Sequence, residues 1–387
     1  MKKKLLILAV AGLALAACSS DETVAVNNSS GNEITFRPLM TGVTRSTAGP
    51  MYGTSWATGD VINVYADFFD KSAAEGYGEH YKYFQADFTK QDGGSFTSAT
   101  PYYWPAFETE DVMTFTAIYG ATQFAEGCIE GYSPAAAAAS QMDVMVAQKQ
   151  VTAKVTPVVL NFRHALSQIV VNVKNTNANL DFDITGVRVG YVSTSGNFAF
   201  SGVTEPQEAD GHTAAEELLV NANNWDELST ASATTNYDQA STKTITSTQS
   251  ATALTSFNPW LLIPQDRTAF TAYTSGTQIN PASADPVVNG SYIALKLTIY
   301  NYNGTARSNK LVAEQWCYWP CAFDWDPGYK YTYTVDLAGG GYQPGNVDAE
   351  EATTLEKVLS DADVIVISPS CTIDYWVTPA ANNVTMP

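Results

Sequence analysis

The side chains that most often carry acid–base chemistry are scarce in this sequence. Only three histidines occur among 387 residues, namely His80, His164 and His212, and histidine is the side chain that titrates closest to neutral pH. The zinc-protease pattern HExxH and the phosphate-binding GKS or GKT loop are both missing from the sequence. Gly53–Ala57 lacks the final glycine of a nucleophile elbow. The sequence therefore predicts no catalytic residues, no cofactor and a protein that is not an enzyme.

Four cysteines in the body of the chain could form disulfides or bind a metal: Cys128, Cys317, Cys321 and Cys371. In an extended strand, Cys317 and Cys321 would lie about 13 Å apart, which is too far for a disulfide. They could pair only across a turn, or with Cys128 or Cys371, and the sequence leaves this pairing open. A zinc site needs further ligands at suitable spacing, which the histidines do not supply. We predict structural or free thiols and no metal.

A fifth cysteine, Cys18, follows a hydrophobic export signal. Lys2–Lys4 precede an apolar run over Leu5–Ala17, which is too short for a stable membrane span. The ending Leu-Ala-Ala-Cys resembles the bacterial lipobox, whose cysteine becomes the first residue and carries acyl chains such as palmitate. We therefore expect a lipoprotein signal peptide over residues 1–17, lipidation at Cys18 and a location at the cell outer membrane. The alternative is an ordinary signal peptide with an incidental cysteine.

Composition narrows the protein class further. Lys and Arg number 20 against 39 Asp and Glu, so the formal net charge is −19, whereas nucleic-acid-binding proteins are basic. Aromatic residues make up 12% of the chain, and disordered chains are poor in them. Together with the many Thr and Val residues, this composition favours β-sheets.

Hydrophobic runs separated by Gly, Asn, Asp and Ser clusters predict short strands along most of the chain, among them Glu33–Phe36, Val61–Tyr65 and Val112–Tyr119. Several of these runs alternate as half-buried strands should, with Ile62 and Val64 in one and Phe115, Ala117 and Tyr119 in another. We predict an all-β protein of two sandwich domains in tandem, over residues 46–176 and 177–387. Residues 18–45 form a tether and a first strand around Ile34 and Phe36. The Ser- and Thr-rich segment Ser229–Ser250 is predicted to be a surface loop.

The remaining candidates for chemistry are His164 and a set of tryptophans. His164 lies between two strand-like runs and is predicted to be a hydrogen-bonded structural residue rather than a catalytic base. Tryptophans could stack on sugars, but in a β-sandwich they more often belong to the core. The alternative functions are a surface glycan-binding lipoprotein and, third, a glycosidase with a pair of facing carboxylates. The tryptophans concerned are Trp56, Trp104, Trp260, Trp316, Trp319, Trp325 and Trp376.

Several short sequence motifs follow the lipobox in a fixed order along the chain. This order resembles the fimbrillin family, the lipoprotein pilins of type V pili, from Glu33 to about Leu337. Each phrase alone is weak, and their order carries the resemblance. The phrases are Glu33–Phe36, Thr44–Ser46, Trp56–Ala66, Phe115–Tyr119, Phe162–Val171, Leu262–Gln265, Tyr318–Pro320 and Pro327–Val335.

The resemblance implies a subunit of a surface fimbria that supports adhesion. Its two domains would be transthyretin-like, that is immunoglobulin-like, β-sandwiches. An arginine-specific protease would remove the first strand, and a strand of a neighbouring subunit would fill the resulting groove. Two arginines, Arg37 and Arg45, follow Phe36. Arg37 is bonded to a proline, and most proteases cut such a bond poorly. We therefore expect cleavage between Arg45 and Ser46.

The C-terminal region offers a strand for this exchange, near residues 371–378. Ile373, Tyr375 and Val377 share one face of an alternating run, so they could deliver one apolar row to a neighbour. The alternative is that this run is the last strand of its own domain. The expected partners are other pilin subunits, the protease and, before cleavage, the membrane. The position in the fibre, stalk or tip, and the ligand stay open.

Overall fold

The computed structural model describes the chain in segments, the longest of them over 127–200 and 290–339. Among these residues the secondary structure is almost entirely β, and the only helical turns are the short 3-10 turns Ala138–Ser140, Ala222–Asn224 and Leu337–Gly339. The all-β prediction is therefore confirmed. The described ranges are 32–40, 56–72, 78–92, 94–122, 124–125, 127–200, 220, 222–232, 234–246, 252–253, 259–269, 290–339 and 370–375.

Nine strands form in the first part of the chain. Their alternation of buried and accessible side chains is clearest in the second strand, where Ile62, Val64, Ala66 and Phe68 are all buried. The strands are β1 Phe36–Met40, β2 Val61–Asp70, β3 Glu79–Lys90, β4 Phe96–Thr97, β5 Val112–Tyr119, β6 Phe124–Ala125, β7 Cys128–Tyr132, β8 Met145–Val151 and β9 Val158–His164.

Thirteen further described strands follow. They are β10 Ser167–Lys174, β11 Leu180–Gly190, β12 Gly196–Phe198, β13 Trp225–Asp226, β14 Asn236–Ile245, β15 Thr252–Ala253, β16 Trp260–Leu262, β17 Asp266–Arg267, β18 Tyr292–Tyr302, β19 Arg307–Pro320, β20 Phe323–Asp324, β21 Tyr329–Asp336 and β22 Ser370–Tyr375.

Seven of the first nine strands make a closed sheet in the order β1-β4-β3-β2-β5-β8-β9. Most neighbours are antiparallel, but β1 runs parallel to β9. The apolar rows of these strands point inward and build one core that includes Phe36, Phe88, Phe115 and Phe162. The sheet closes through β1, which pairs with β4 at the single position Phe36 opposite Phe96.

The second half of the chain is a sandwich of two sheets. One has the order β15-β10-β21-β22, with β16 also paired to β10, and the other has the order β14-β11-β18-β19. Side chains from both sheets, such as Ile169 and Tyr333 on one side and Ile184 and Leu295 on the other, meet in a single buried cluster. Two sheets that share one core are the arrangement of a β-sandwich.

The two halves are joined by a small shared sheet and an apolar cluster. The sheet has the order β13-β12-β7-β6 and so combines strands from both halves. The cluster contains Ile118 and Val146 from the closed sheet together with Leu166, Trp225 and Ile263. The sequence predicts that only one face of β5 is buried, but this cluster also covers Ile118 on the other face.

The predicted surface loop Ser229–Ser250 is wrong in its central part. Residues 236–245 form β14, an edge strand that pairs antiparallel with β11. Tyr237 and Ile245 anchor its two ends in the core, while Asp238, Thr242 and Thr244 are exposed. Threonine favours strands because its branched side chain fits a pleated, half-exposed surface. The polar composition therefore marks an outer edge strand here.

Candidate functional site

Only some of the residues expected to matter fall within the described parts of the chain. Cys18, Arg45, Ser46 and Val377 lie outside them. Within the described ranges, no helix is long and apolar enough to cross a membrane. The residues that can be assessed are those of the first strand and the backbone of β22.

The first strand is an inner strand of the closed sheet. It lies between β9 on one side and β4 on the other. As a regular strand it begins at Phe36, not at the expected Glu33, but the residues before it are also tied to the sheet. Glu33 forms an isolated antiparallel bridge with Tyr103, and the amide of Ile34 donates to the carbonyl of Tyr102 at 2.8 Å.

The side chains of this segment alternate strictly between the core and the surface. Asn32, Ile34, Phe36 and Pro38 are buried. The residues between them are partly or fully exposed, and Leu39 is 41% exposed. One face of the strand is thus part of the core, while the other can meet solvent.

Phe36 is the best-packed residue of this row. It is 0% exposed, and its ring meets those of Phe88 and Phe115 edge-on, at centroid distances of 4.7 and 5.2 Å. Such edge-to-face contacts add about 0.5–1.5 kcal/mol per pair to the burial of the ring. We call the space that Ile34, Phe36 and Pro38 fill the β1 slot.

Polar groups fix the wall of the β1 slot near its start. The hydroxyl of Tyr83 donates to the carbonyl of Tyr103 at 2.7 Å, and the indole of Trp104 donates to Thr156 Oγ1 at 2.9 Å. Burial, with a smaller contribution from Tyr81, raises the pKa of Tyr83 to about 12. The hydroxyl therefore stays protonated and remains a donor at neutral pH.

Pro38 also belongs to the buried row of the β1 slot. Proline has no backbone N–H, so within sheets it is confined to edges, strand starts and bulges. The neighbouring strand β4 begins only at Phe96, directly after a turn in which the amide of Gln91 donates to the carbonyl of Ser95 at 2.9 Å. The N–H that Pro38 lacks therefore has no strand to pair with on that side.

The C-terminal strand β22 is part of the second half's own sheet. Residues 370–375 pair antiparallel with β21, in a register that sets Ile373 opposite Tyr331 and Tyr375 opposite Tyr329. In the strand order, β22 stands at the end next to β21. In this single chain, β22 is therefore the last strand of its own sheet, which is the alternative that the sequence left open. Its donation to a neighbouring subunit stays a prediction.

His164 ends β9 at the crossing from the closed sheet to the sandwich. Its Nδ1 lies 2.7 Å from a carboxylate oxygen of Asp143, and the Asp143 side chain is 1% exposed. The next amide, that of Ala165, donates to the carbonyl of Val144 at 2.8 Å. The prediction of a hydrogen-bonded structural histidine at a crossover is confirmed.

The tryptophans mostly belong to the core. Of those considered above, Trp56 and Trp316 are partly exposed, Trp376 lies outside the described residues, and the others are buried. Trp316 stacks with the guanidinium of Arg188, 4.4 Å from its ring centroid. The platform of several exposed rings that a glycan-binding surface would need is not seen in the described ranges.

The buried cysteines also face the core. Cys317 lies in β19 and Cys321 one residue after it, and both belong to the central cluster of the sandwich. In the neighbouring sheet, the backbone of Cys371 lies opposite that of Tyr333. The pairing of these cysteines stays open, as the sequence leaves it.

Comparison with known proteins gives a family match. A sequence model described as fimbrillin-like matches residues 44–357, which is well over half of the chain. No curated protein matches the chain.

Solved structures that match the chain include proteins from Bacteroides and Parabacteroides species. A candidate cell adhesion protein from Bacteroides ovatus is 13% identical, with a TM-score of 0.45, and the match covers 91% of this chain and 100% of that one. A fimbrial protein from Bacteroides vulgatus is 14% identical, with a TM-score of 0.43, and the match covers 81% and 92%. A fimbrial assembly protein from Parabacteroides distasonis is 11% identical, with a TM-score of 0.33, and the match covers 78% and 90%.

Proposed function

The chain belongs to the fimbrillin-like family, and we propose that it is a structural subunit of a cell-surface fimbria. In this proposal the chain is exported as a lipoprotein anchored at Cys18, is cut after Arg45, and then polymerises by strand exchange to support adhesion. Its partners are other subunits of the same fibre and the arginine-specific protease. Its role is structural rather than enzymatic.

The position of β1 is the observation that carries this proposal. An inner strand with a buried row at Ile34, Phe36 and Pro38 is followed within a few residues by Arg45. A single cut at Arg45 would therefore detach this strand, and the lipid anchor with it, from the remaining 342 residues.

The physical consequence of losing β1 supports assembly. The closed sheet would open between β4 and β9, leaving unpaired backbone groups on both. The core around Phe88 and Phe115 would be exposed where the ring of Phe36 now covers it. Unsatisfied backbone groups and open apolar surface both favour the addition of a strand from another chain.

The finer description of the fold is also part of the proposal. We assign the closed sheet to the first of two transthyretin-like domains and the sandwich to the second. Because β10 pairs with β21 and β16, the chain passes from one set of strands to the other between His164 and Ser167. This point precedes the boundary at residue 176 that the sequence suggests.

The C-terminal strand is the proposed donor. It has a single neighbour, β21, in the described sheet order, so its release from its own sheet breaks one ladder only. Ile373, Tyr375 and Val377 would enter the slot of the next subunit. This release would leave the backbone groups of β21 unpaired along that edge, which opposes it energetically.

Controlled proteolysis tests the proposal. The purified chain is treated with an arginine-specific protease, and the new N-terminus and the oligomeric state are measured. We expect a product that begins at Ser46 and forms higher oligomers, since the cut frees β1. Replacing Arg45 with Gln should abolish both results, because the protease requires the guanidinium at the cut.

The matched control is Arg37→Gln, which removes the other arginine near β1 and leaves Arg45 intact. This variant should be cut and should assemble as the native chain does. A product that starts anywhere other than Ser46 would reject the cleavage site. A clean cut without any change in oligomeric state would reject assembly by strand exchange.

A further inference from the structure

Arg267, at the end of β17, is a partly buried cation whose hydrogen-bond partners are all neutral. Its Nε donates to Gln265 Oε1 at 3.0 Å, and Nη1 donates to the backbone carbonyl of Asp266 at 3.0 Å. Its Nη2 donates to the hydroxyl of Ser193. Within the described parts of the chain, this guanidinium therefore has no carboxylate as a hydrogen-bond partner.

Two other arginines of the sandwich differ from Arg267 in this respect. Arg188 and Arg307 each hold a carboxylate, at 2.7 and 3.0 Å. Burial alone would lower the pKa of both, but hydrogen bonds to these carboxylates raise it. For Arg267, burial lowers the pKa, although Asp266 acts against this shift. A partly buried charge without a countercharge is unfavourable, and a bound anion would relieve that cost.

Asp266 is adjacent to Arg267 in the chain but lies on the other face of its strand. Successive residues of a strand point to opposite faces. In the pairing of β17 with β20, Asp266 lies opposite Asp324, whereas Arg267 lies opposite Phe323. A hydrogen bond between the two carboxyl groups raises the pKa of Asp324. The acidic pair is thus turned towards itself and leaves the guanidinium on the opposite face.

Buried polar groups fix the orientation of the guanidinium. Gln265 and Ser193 are 3% and 1% exposed. The amide of Ser193 donates to Gln265 Oε1 at 2.7 Å, and the side-chain amide of Gln265 donates back to the carbonyl of Ser193 at 3.2 Å. Each terminal nitrogen of an arginine carries two N–H groups, and one of each is engaged here. The remaining two can hold both oxygens of a carboxylate.

Tyr191 stands near this guanidinium in a strained backbone conformation. Its φ is 62°, in the left-handed region that is unfavourable for residues other than glycine. The amides of Tyr191 and Val192 hold the turn, since both donate to the carbonyl of Thr235, at 2.9 and 3.2 Å. The partly exposed side chain packs on the cluster around Tyr292 and is close enough to Arg267 to act on its pKa. Strained residues of this kind concentrate at binding sites.

We propose that Arg267 and Tyr191 form a binding site for a carboxylate-bearing ligand from outside the chain. The guanidinium holds both carboxylate oxygens, and the Tyr191 hydroxyl donates a further hydrogen bond. Gln265 and Ser193 are positioning residues. The chain has 39 acidic against 20 basic residues and repels small anions in general, so saturable binding would report a local site. This inference goes beyond the proposed function, which concerns assembly, and its failure would leave that function intact.

The test is an NMR titration of the purified, uncut chain with isotope-labelled arginine. The chain has six arginines, so their Nε–H resonances can be followed one by one. Acetate should shift the Arg267 resonance in a saturable way, with a dissociation constant of about 1–10 mM. Acetamide, which has the same shape but no charge, should leave this resonance in place over the same concentrations.

Variants separate the guanidinium from the hydroxyl. Arg267→Lys keeps the charge but loses the planar pair of donors, so it should weaken acetate binding about tenfold. Tyr191→Phe keeps the ring and should weaken binding about threefold. Both are followed through the backbone amide of Ser193. The matched control is Arg37→Gln, which removes an exposed arginine of the closed sheet and should bind acetate within about twofold of the native chain.

Three outcomes would overturn the site. They are equal shifts with acetate and acetamide, no saturation below about 100 mM acetate, and equal losses of binding in Arg267→Lys and Arg37→Gln. Two larger carboxylates then identify the source of the ligand. Binding of glucuronate about tenfold tighter than acetate would indicate a sugar acid, and the same gain with N-acetylglutamate would indicate an acidic side chain.

Discussion

Two histidine–aspartate pairs of nearly equal length show how burial decides what a residue contributes. His164 lies 2.7 Å from Asp143, whose side chain is 1% exposed, and His80 lies 2.6 Å from Asp67, with the His80 side chain 67% exposed. A buried polar group that loses its hydrogen-bond partner costs more than one that can turn to water. The pair at the crossing between the two halves therefore matters more to stability than the pair on the surface.

We expect His164→Ala to lower the free energy of unfolding by about 1–3 kcal/mol, because it leaves a hydrogen bond of the buried Asp143 unmade. The matched variant His80→Ala should cost about 0–1 kcal/mol. Urea denaturation followed by tryptophan fluorescence measures both. Equal losses for the two variants would contradict a structural role for His164 at the crossing.

At the scale of elements, a single arginine ties the start of β19 to β11. Nε of Arg307 lies 3.0 Å from Asp181, whose side chain is 3% exposed, and Nη1 lies 2.9 Å from Asp183. Burial alone would raise the pKa of Asp183, but hydrogen bonds from Thr244 and Arg307 lower this pKa below its ordinary value. The folded protein therefore favours the charged carboxylate.

Arg307→Met should lower the free energy of unfolding at pH 7 by about 1–3 kcal/mol, since it strands the buried charge of Asp181. A carboxylate whose pKa is lowered on folding adds stability above its unfolded pKa, about 3.9, and loses it as the pH falls through the folded value. The variant should therefore lose less stability than the native chain between pH 6 and pH 3. Denaturant titrations at both pH values measure this.

The control for this prediction is Lys71→Met. Lys71 and Glu110 form an ion pair at 3.4 Å with both side chains well exposed, so its removal should change neither the stability nor its pH dependence appreciably. A native-like acid response in Arg307→Met would mean that this ion pair does not govern the titration of Asp183.

At the scale of the whole molecule, charge opposes the association of subunits. In the proposed maturation, loss of the three lysines of residues 1–17 would take the net charge from −19 to −22, and the segment 18–45, with three acidic residues and two arginines, would remove a further −1. The proposed fibre subunit therefore has a charge of −21. Like charges of this size repel one another over a distance set by the salt concentration.

We expect polymerisation of the cut chain to become several-fold faster between about 20 and 300 mM NaCl, because salt screens this repulsion. Light scattering after cleavage measures the rate. The control is the displacement of β1 from the cut chain by a synthetic peptide of residues 370–380. This peptide has one charged side chain, Asp374, so the rate of displacement should depend little on salt. A polymerisation rate that falls with salt would indicate that attractive ion pairs between subunits dominate.

Much of the local structure was predictable because a strand's own side chains record which of its faces is buried. The run Val112–Tyr119 was predicted as a strand with the bounds that β5 has, and the burial of Ile62 and Val64 follows their alternation. The same logic marked Ile34 and Phe36 as the apolar row of the first strand. Where apolar alternation is weak, as in the Thr-rich β14 and the first part of β19, the same reasoning fails.

The sequence by itself determined the β class, the inward row of the first strand and the family resemblance. Only the tertiary structure decided that β1 lies between β4 and β9, more than fifty and a hundred residues further along the chain. It also decided that Ile118 on the outer face of β5 is covered and that β1 pairs with β9 over its whole length but with β4 at Phe36 only. The physical reason is that alternation records only which side of its own strand a residue faces, whereas strand partners are chosen by the packing of the whole core.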